Sequence, residues 1–250
     1  MAAEYITSRK NPIVQQIKRL QASRAYRRRC GLFPAEGVKL LEEAIKWYDG
    51  LDTVLTTEHV EVSRLEDRVR HIIVPDSLMS FLSEQESPQG ALFLCRLPQD
   101  KPLCLQRGAL ILDGIQDPGN LGTILRTADA LEVPVVLSEG CADPFCAKTV
   151  RASMGAVFRT PPQLAAREAI LSAAEQAEIP IAVTALSPEA LDLREADLRV
   201  CATVIGSEGR GVCEDYLQAA AQKLMIPMNA RCESLNAAVA ATIVMWQMRR

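Results

Sequence analysis

Short apolar runs alternate with segments of helical apolar spacing through the second half of the chain. The apolar runs predict strands over residues 109–114, 133–138, 180–186, 198–206 and 223–228. The segments between them predict helices over residues 119–131, 144–155, 165–178, 212–222 and 234–249. Strands that are joined by helices lie parallel, and the helices cover both faces of the sheet. The pattern therefore predicts an α/β fold with a mostly parallel sheet.

The first part of the chain has a shorter mixed pattern. Helical spacing predicts helices over residues 12–20, 36–48 and 76–84, and strand-like runs cover residues 52–57, 71–74 and 91–97. Together these elements predict a small α/β domain over residues 1–98. Residues 99–107 are rich in Pro, Gln and charge, which is typical of a linker. A second domain is therefore predicted over residues 108–250.

Composition narrows the classes of protein. Hydrophobic residues make up 48% and charged residues 24% of the 250 residues, as in a globular enzyme. Aromatic residues make up only 4%, which counts against RNA-binding modules that stack bases on several exposed rings. His59 and His71 have no acidic or thiol partner at ligand spacing. We therefore expect neither a histidine-based metal site nor a Ser-His-Asp triad.

The eight cysteines include no C-x-x-C pair, and the N-terminus lacks the apolar core of a signal peptide. Most of the cysteines sit singly in apolar runs, where a free thiol behaves as a small hydrophobe. The weakly polar stretch 235–248 is shorter than a membrane span, which needs about 20 residues. We therefore expect reduced thiols, a cytoplasmic location and no membrane contact.

A basic segment opens the chain. Residues 1–30 contain eight Lys or Arg residues and one acidic residue, although the whole chain carries a net charge of −3. This asymmetry is typical of a polyanion-binding site, and an exposed amphipathic helix explains the charge equally well. The basic candidates for contact with a polyanion are Arg9, Lys10, Arg24, Arg27, Arg28 and Arg29.

Three segments at predicted strand ends carry unusual residues, and ligands of doubly wound sheets bind at such ends. In the first, DGIQDPGNLGTILRTADA at 113–130, a tight turn is permitted by Pro118, Gly119 and Gly122. The amide of Asn120 can hold the loop through hydrogen bonds to the backbone. Arg126 extends a guanidinium from the following helix. A solvated arginine is the alternative, but the combined D-P-G-N-x-G-x-x-x-R-T-A string is more specific than any one residue.

The second segment, VIGSEGRGV at 204–212, has glycines spaced G-x-x-G-x-G. This spacing is the reverse of the dinucleotide fingerprint, and no G-K-[ST] completes a phosphate-binding P-loop. Glu208, which lies between glycines, would repel a phosphate. The segment therefore favours a neutral or cationic ligand that the bare backbone approaches closely.

The third segment, residues 226–248, reads as a strand, a turn and an alanine-rich helix. Ser234 is the predicted N-cap of this helix, and Leu235 and Asn236 open it. Taken alone, the segment is explained best as a capped core helix.

In this order, the three segments resemble the three sequence motifs of the SpoU/TrmH-type RNA 2′-O-ribose methyltransferases of the SPOUT class. The resemblance extends to TSRKNPIVQQIKRL (7–20), FPAEGVKLLEEA (33–44), SPQGAL (87–92) and RASMGAVFR (151–159), and so covers nearly the whole chain. It implies that the C-terminal parallel-sheet domain is threaded into a trefoil knot, a rare exception to the rule against knots. It also implies that the N-terminal domain is similar to ribosomal protein L30e and binds RNA.

The resemblance implies S-adenosylmethionine as the cofactor, no metal, and a homodimer as the active unit. A cationic sulfonium and a neutral adenosine need no phosphate cradle, which agrees with an acidic Gly-rich loop. By motif position, the residues expected to bind the cofactor are Thr184, Ala185, Gly206, Ile226, Met228 and Leu235.

The implied reaction is methyl transfer to a ribose 2′-hydroxyl. Arg126 would orient or activate this hydroxyl, by electrostatic stabilisation rather than as a base, because the guanidinium pKa is above about 12. The family commonly has a glycine where this chain has Ala230, a departure that leaves the catalytic positions intact. The residues that would hold Arg126 and the ribose in place are Asn120, Glu208, Ser234 and Asn236.

Ribosomal RNA is the expected substrate, because an N-terminal RNA-binding domain of this kind resembles the rRNA-modifying branch of the family; tRNA is the alternative. The basic residues near the N-terminus then become candidate phosphate contacts. A non-catalytic RNA-binding or ribosome-assembly protein is a second alternative, which the intact polar motif residues disfavour. A nucleotide-dependent oxidoreductase or NTPase is disfavoured by the glycine spacing and the missing P-loop.

Overall fold

The chain folds into two compact units. The first comprises the residues up to Gln99 together with Phe145–Arg159, and the second comprises the remainder. The first boundary lies at the predicted linker, whereas residues 145–159 pack with the first unit and not with the domain to which the sequence division assigned them. The computed structural model describes residues 4–62, 65–99, 101–229, 231–232 and 234–250.

The first unit is built on a mixed five-stranded sheet with strand order β1-β4-β3-β5-β2. The β1–β4 and β4–β3 pairs are parallel, and β5 pairs antiparallel with β3 and β2. The elements up to residue 99 are β1 (Glu4–Tyr5), α1 (Pro12–Ala22), α2 (Arg24–Cys30), β2 (Leu32–Glu36), α3 (Val38–Trp47), β3 (Leu51–Thr56), β4 (Arg70–Ile73), α4 (Asp76–Leu82) and β5 (Ala91–Arg96).

Helix α1 begins where the sequence predicts it. The side chain of Asn11 accepts a hydrogen bond of 3.0 Å from the backbone N–H of Ile13, and Pro12 occupies the first helical position. One face of the helix buries Ile13, Val14, Ile17 and Leu20 in the core of the unit.

Helix α2 was not predicted, because its sequence RAYRRRC has too few apolar residues to show a helical period. Its two ends define it instead. The Ser23 side chain caps the first turn, and Gly31 ends the helix with a left-handed φ of 64°.

The charge pattern predicts that Arg27 contacts a polyanion, but the structure gives this residue a different role. It is only 5% exposed, and its Nη1 donates hydrogen bonds to the carbonyl oxygens of Leu20 (2.6 Å) and Gln21 (3.2 Å) at the end of α1. A guanidinium that satisfies helix-end carbonyls inside the protein is not available to a phosphate. The prediction that Arg27 contacts RNA is therefore wrong.

The second unit contains a seven-stranded sheet in the order β10-β12-β9-β11-β6-β7-β8, and every neighbouring pair is parallel. The chain after residue 99 forms β6 (Leu110–Asp113), α5 (Pro118–Ala130), β7 (Val135–Leu137), α6 (Ala147–Ala152), α7 (Ala156–Arg159), β8 (Gln163–Leu164), α8 (Arg167–Gln176), β9 (Ile181–Thr184), β10 (Leu191–Asp192), β11 (Ala202–Gly206), α9 (Glu214–Ala219), β12 (Gln222–Met225) and α10 (Ala237–Met248). All of these elements except α6 and α7 belong to the second unit.

The predicted parallel sheet is confirmed. Its inner strand β6, which lies between β11 and β7, is buried at every position, as expected for a strand that is covered on both faces. The start of the strand predicted over 198–206 is instead a short 3-10 helix, Leu198–Val200. The trefoil knot and the likeness of the first unit to L30e stay predictions. None of the helices in the described parts of the chain is long and apolar enough to cross a membrane.

The helix predicted over 144–155 is divided in two. Met154 and Gly155 between α6 and α7 have positive φ angles of 49° and 89°, which interrupt the helix. A Cβ atom on Gly155 would lie 3.0 Å from the side chain of Glu43. This break allows Arg159 at the end of α7 to form an ion pair with Glu43.

Aromatic rings attach residues 145–159 to the first unit. The ring centroid of Phe145 lies 5.0 Å from that of Phe33, and the ring of Phe158 lies 5.5 Å from Tyr48 and 6.0 Å from Phe93. Phe158 is 2% exposed. Such pairs add about 0.5–1.5 kcal/mol each to the stabilisation from burial.

We expect Phe158→Ala to lower the free energy of unfolding by about 3–5 kcal/mol, because it leaves a cavity among three rings. Denaturant unfolding followed by circular dichroism measures this change. Trp47→Ala is the matched control, since Trp47 is 52% exposed in the same unit and its loss is expected to cost less than about 1 kcal/mol. Equal effects of the two substitutions would contradict the assigned packing.

Candidate functional site

The carboxyl ends of β9, β11 and β12 border a cavity of about 410 Å³. This is a volume typical of a small-molecule site, and the position is the one at which parallel sheets bind ligands. Its lining is largely apolar and includes Leu186, Ile205, Val212 and Leu224, which the motif comparison did not single out. It also includes each residue predicted to bind the cofactor: Thr184, Ala185, Gly206, Ile226, Met228 and Leu235.

The loop after β11 forms one wall of this cavity and is closed on itself. Ser207 and Gly211 exchange two backbone hydrogen bonds of 3.1 and 2.9 Å. A Cβ atom on Gly206 would lie 2.1 Å from the carbonyl group of Gly211, so only glycine permits this approach. The glycines therefore place bare backbone at the cavity wall, as the sequence pattern predicts.

Asn120, Glu208 and Asn236 form a hydrogen-bonded cluster, although 88 and 116 residues separate Asn120 from its two partners. Asn120 Nδ2 donates to Glu208 Oε1 at 2.8 Å, and Asn236 Nδ2 donates to Asn120 Oδ1 at 3.0 Å. Glu208 Oε1 also accepts a bond of 2.9 Å from the backbone N–H of Ala237. The cluster joins the three sequence motifs at one point.

A smaller cavity of about 280 Å³ lies beside this cluster and is lined in part by Gln116, Asp117 and Asn120. The two cavities share one wall. The residues that line both of them are Ser207, Glu208, Arg210 and Ala237. A ligand in the apolar cavity and a polar ligand in the smaller one would therefore meet at Glu208. The arrangement can hold two reactants side by side.

Two helix starts fix the cluster. Asp117 caps α5 by accepting a 2.8 Å hydrogen bond from the backbone N–H of Asn120, and Pro118 takes the first helical position. The amide of Asn120 thus bonds to two side chains, Glu208 and Asn236. The sequence had instead predicted that this amide bonds to the loop backbone. The Asp-Pro pair was the signal that could have identified Asp117 as the cap.

At α10 the N-cap is Asn236, whose Oδ1 accepts from the backbone N–H groups of Ala238 (2.9 Å) and Val239 (3.3 Å). The prediction that Ser234 caps this helix is therefore wrong. Ser234 is exposed and lines the larger cavity. Ala230 lies outside the described residues.

Helices α5 and α10 pack against each other. Gly122 is buried on α5, and Ala237, Ala238 and Ala241 are buried on α10. These small residues permit a close approach, which brings the starts of the two helices within reach of Glu208.

Arg126 lies on the exposed face of α5 and lines neither cavity. Within the described ranges its guanidinium has no hydrogen-bond or ion-pair partner. The structure therefore brings Asn120, Glu208 and Asn236 together and leaves Arg126 apart from them in the single chain.

The chemical character of the site follows from its lining. Neither cavity contains a histidine, and the described part of the chain holds no group of three or more His, Cys, Asp or Glu residues that could bind a metal ion. Among the described residues, both hydrogen bonds to the Glu208 carboxylate are made to Oε1, which leaves Oε2 as an acceptor.

The remaining predicted phosphate contacts of the first unit are exposed, and two of them lie against aromatic rings. The guanidinium carbon of Arg9 lies 4.6 Å from the ring centroid of Phe81, and that of Arg29 lies 4.8 Å from the ring of Tyr26. Lys10, Arg24 and Arg28 are also exposed. The exposed positive charges of residues 9–29 therefore lie close to the faces of two aromatic rings, those of Tyr26 and Phe81.

Comparison with known proteins gives matches along nearly the whole chain. The model of the SpoU rRNA methylase family matches residues 108–246, and the model of the MRM3-like substrate binding domain matches residues 11–92. The 23S rRNA (guanosine(2553)-2′-O)-methyltransferase RlmP of Bacillus subtilis is 33% identical over 98% of both chains. The 23S rRNA (uridine(2479)-2′-O)-methyltransferase of Streptomyces viridochromogenes is 28% identical over 100% of this chain and 93% of its own.

The fold is similar to that of a crystallised rRNA methyltransferase from Sinorhizobium meliloti with bound AdoMet. The two structures share a TM-score of 0.87 at 29% identity, over 99% of this chain and 97% of the other. The family match includes the first turn of α5, the loop after β11 and the start of α10, which carry Asn120, Glu208 and Asn236. This chain belongs to the SpoU rRNA methylase family.

Proposed function

We propose that this chain transfers the methyl group of S-adenosylmethionine to a ribose 2′-hydroxyl of ribosomal RNA. The observation that carries the proposal is the wall that the two cavities share at Glu208, where the three motifs meet. Relatives that match the chain along its length are named as 23S rRNA 2′-O-methyltransferases.

The larger cavity fits this cofactor in size and in chemistry. Its apolar lining suits an adenine ring, and the backbone at Gly206 suits close hydrogen bonding by N–H and C=O groups. The cavity needs no phosphate-binding loop, because S-adenosylmethionine has no phosphate group. Thr184, Ala185, Gly206, Ile226, Met228 and Leu235 are the residues that would hold it.

The bound cofactor supplies an electrophilic methyl group. A ribose 2′-hydroxyl is a weak nucleophile until a neighbouring group orients it and stabilises its developing charge. The free oxygen of Glu208 is placed to accept a hydrogen bond from this hydroxyl, and Asn120 and Asn236 keep the carboxylate in one orientation. Ser234 at the cavity edge is placed to contact the ribose.

Arg126 would stabilise negative charge at the nucleophile or bind the adjoining phosphate, and it acts within a homodimer. Val239, Ile243 and Trp246 are 49%, 37% and 67% exposed at helical spacing along α10, and they form one apolar stripe. A second copy is the occupant that this stripe suits, as α10 packs beside α5, the helix that carries Arg126. Dimerisation would therefore bury the surroundings of a residue that is isolated in the single chain.

The first unit would bind the RNA. Its exposed Arg9, Lys10, Arg24, Arg28 and Arg29 are the proposed phosphate contacts, which position the RNA without reading its sequence. The named relatives act at a guanosine and at a uridine, so the family match leaves the methylated nucleotide open. The reaction is placed in the cytoplasm, where ribosomal RNA is found. A tRNA substrate is less favoured, because the relatives that match along the whole chain are named for 23S rRNA.

Methyl transfer from labelled S-adenosylmethionine to total RNA from a strain that lacks this protein tests the function. We expect label in one size class of ribosomal RNA and a single 2′-O-methylated nucleoside after digestion. Transfer should fall steeply as salt is raised, because phosphate contacts release counterions. Binding of the cofactor without transfer to any RNA would instead favour a ribosome-assembly protein, and label in tRNA would correct the substrate.

Arg126→Ala should keep folding and cofactor binding but lower the rate of methyl transfer by about a hundredfold or more, because it removes charge stabilisation in the transition state. Single-turnover transfer and calorimetric binding separate the two effects. Thr123→Ala is the matched control, since Thr123 is exposed one turn earlier on the same helix. Unchanged turnover in the Arg126 variant would exclude the proposed role.

Trp246→Glu should convert the dimer to monomers, because it places a charge in the apolar stripe. Sedimentation velocity measures the change. Leu164→Glu on the edge strand β8 is the control, since Leu164 is 46% exposed and lies outside α10. A wild-type protein that sediments as a monomer at micromolar concentration, or a variant that stays dimeric, would refute the assigned interface.

A further inference from the structure

Asp113 is a buried carboxylate at the carboxyl end of β6, and it is only 5% exposed. A buried charge is costly unless hydrogen bonds and an opposite charge compensate it. Asp113 has both. Its Oδ2 accepts a 2.8 Å hydrogen bond from the backbone N–H of Cys213, and its Oδ1 lies 3.7 Å from Nη2 of Arg167.

The bond to Cys213 closes the loop that follows β11. At the start of this loop, Gly206 pairs with Asp113 in the parallel β6–β11 register. At its end, the N–H of Cys213 donates to the Asp113 side chain. One residue of β6 therefore holds both ends of residues 206–213, and most of the residues between them, Glu208 among them, line the larger cavity.

Arg167 fixes the Asp113 carboxylate from the other side. It is the first residue of α8, where a cation is unfavourable for the helix dipole, yet its side chain is only 24% exposed. Carboxylates explain this position: Nη1 donates to Asp215 at 3.1 Å, and Glu139 accepts from the backbone N–H of Arg167 at 3.0 Å. The Nε atom is buried without a partner in the described part of the chain.

The ring of Tyr216 lies beside the Arg167 guanidinium. Tyr216 is completely buried, its hydroxyl donates a 3.1 Å hydrogen bond to Ser138, and the Arg167 guanidinium lies 5.9 Å from its ring centroid. Burial raises the pKa of Tyr216, so the phenol stays protonated and remains a donor. The Asp113–Arg167 pair thus packs beside a buried ring whose hydroxyl is held by Ser138.

We propose that Asp113, oriented by Arg167, is a positioning residue that holds the loop 206–213 in the shape required for binding S-adenosylmethionine. The inference rests on the proposed function, because it assigns this cofactor to the larger cavity. Asp113 itself lines neither cavity, so it acts only through the loop. It contributes no atom to the reaction.

Two substitutions separate the contacts of Asp113. Asp113→Ala removes both, whereas Asp113→Asn keeps an oxygen for the N–H of Cys213 and loses the charge that faces Arg167. We expect the Ala variant to raise the dissociation constant for S-adenosylmethionine about tenfold or more. The Asn variant should stay within about threefold of the wild type. Titration calorimetry below the melting temperature of each variant measures these constants.

Asp215→Asn is the matched control, because it removes a charge from the same arginine at a side chain that is 57% exposed. It should leave cofactor affinity unchanged. Amide hydrogen exchange of the ligand-free protein gives a second reading: residues 207–213 should exchange faster in Asp113→Ala than in the wild type, while β6 stays protected.

The results distinguish this proposal from the proposed function. A lower melting temperature in both Asp113 variants with unchanged cofactor affinity, or unchanged exchange in the loop, would overturn the positioning role. A wild-type protein that binds no S-adenosylmethionine would contradict the proposed function, and hydrogen exchange of the loop would still decide whether Asp113 holds it.

Discussion

One carboxylate oxygen, Oε1 of Glu208, connects the segments on which the site depends. It receives the side-chain amide of Asn120 at the start of α5 and the backbone N–H of Ala237 at the start of α10. The backbone N–H of Ala237 is one of the unpaired donors that a helix start exposes, and a carboxylate is a favourable acceptor there. The tight Gly206–Gly211 loop, the small residues between α5 and α10, and the caps of both helices are arranged so that this contact forms.

Five of the seven strands of the parallel sheet could be predicted because burial leaves a direct record in the sequence, whereas the two-residue edge strands β8 and β10 were missed. A strand that is covered on both faces, such as Leu110–Asp113, must be a short apolar run. The glycine spacing of residues 206–211 records a different constraint, the absence of room for a Cβ atom. The cavity residues could be named because the resemblance to the family implies them by motif position, and most of them follow strand ends, where parallel sheets bind ligands.

Contacts between distant side chains leave no such record. Periodicity does not show that Asn120 meets Asn236, and Ser and Asn are equally good caps, so Ser234 was chosen where Asn236 caps α10. Charge count fails for the same reason at Arg27, whose guanidinium is used by carbonyl groups at the end of α1. The burial of Asp113 and Arg167 likewise depends on β6, α8 and α9, which meet only in the folded unit.

The packing of Phe145 and Phe158 in the first unit bears on how this protein can be divided. The family match begins at residue 108, and a shortened protein that begins there would keep residues 145–159. It would lack the rings of Phe33 and Phe93 that pack against Phe145 and Phe158. The chain crosses between the units at residue 99, at 144 and again at 159. The two units are therefore not modules in series, and recombination between relatives would have to exchange both parts of the first unit together.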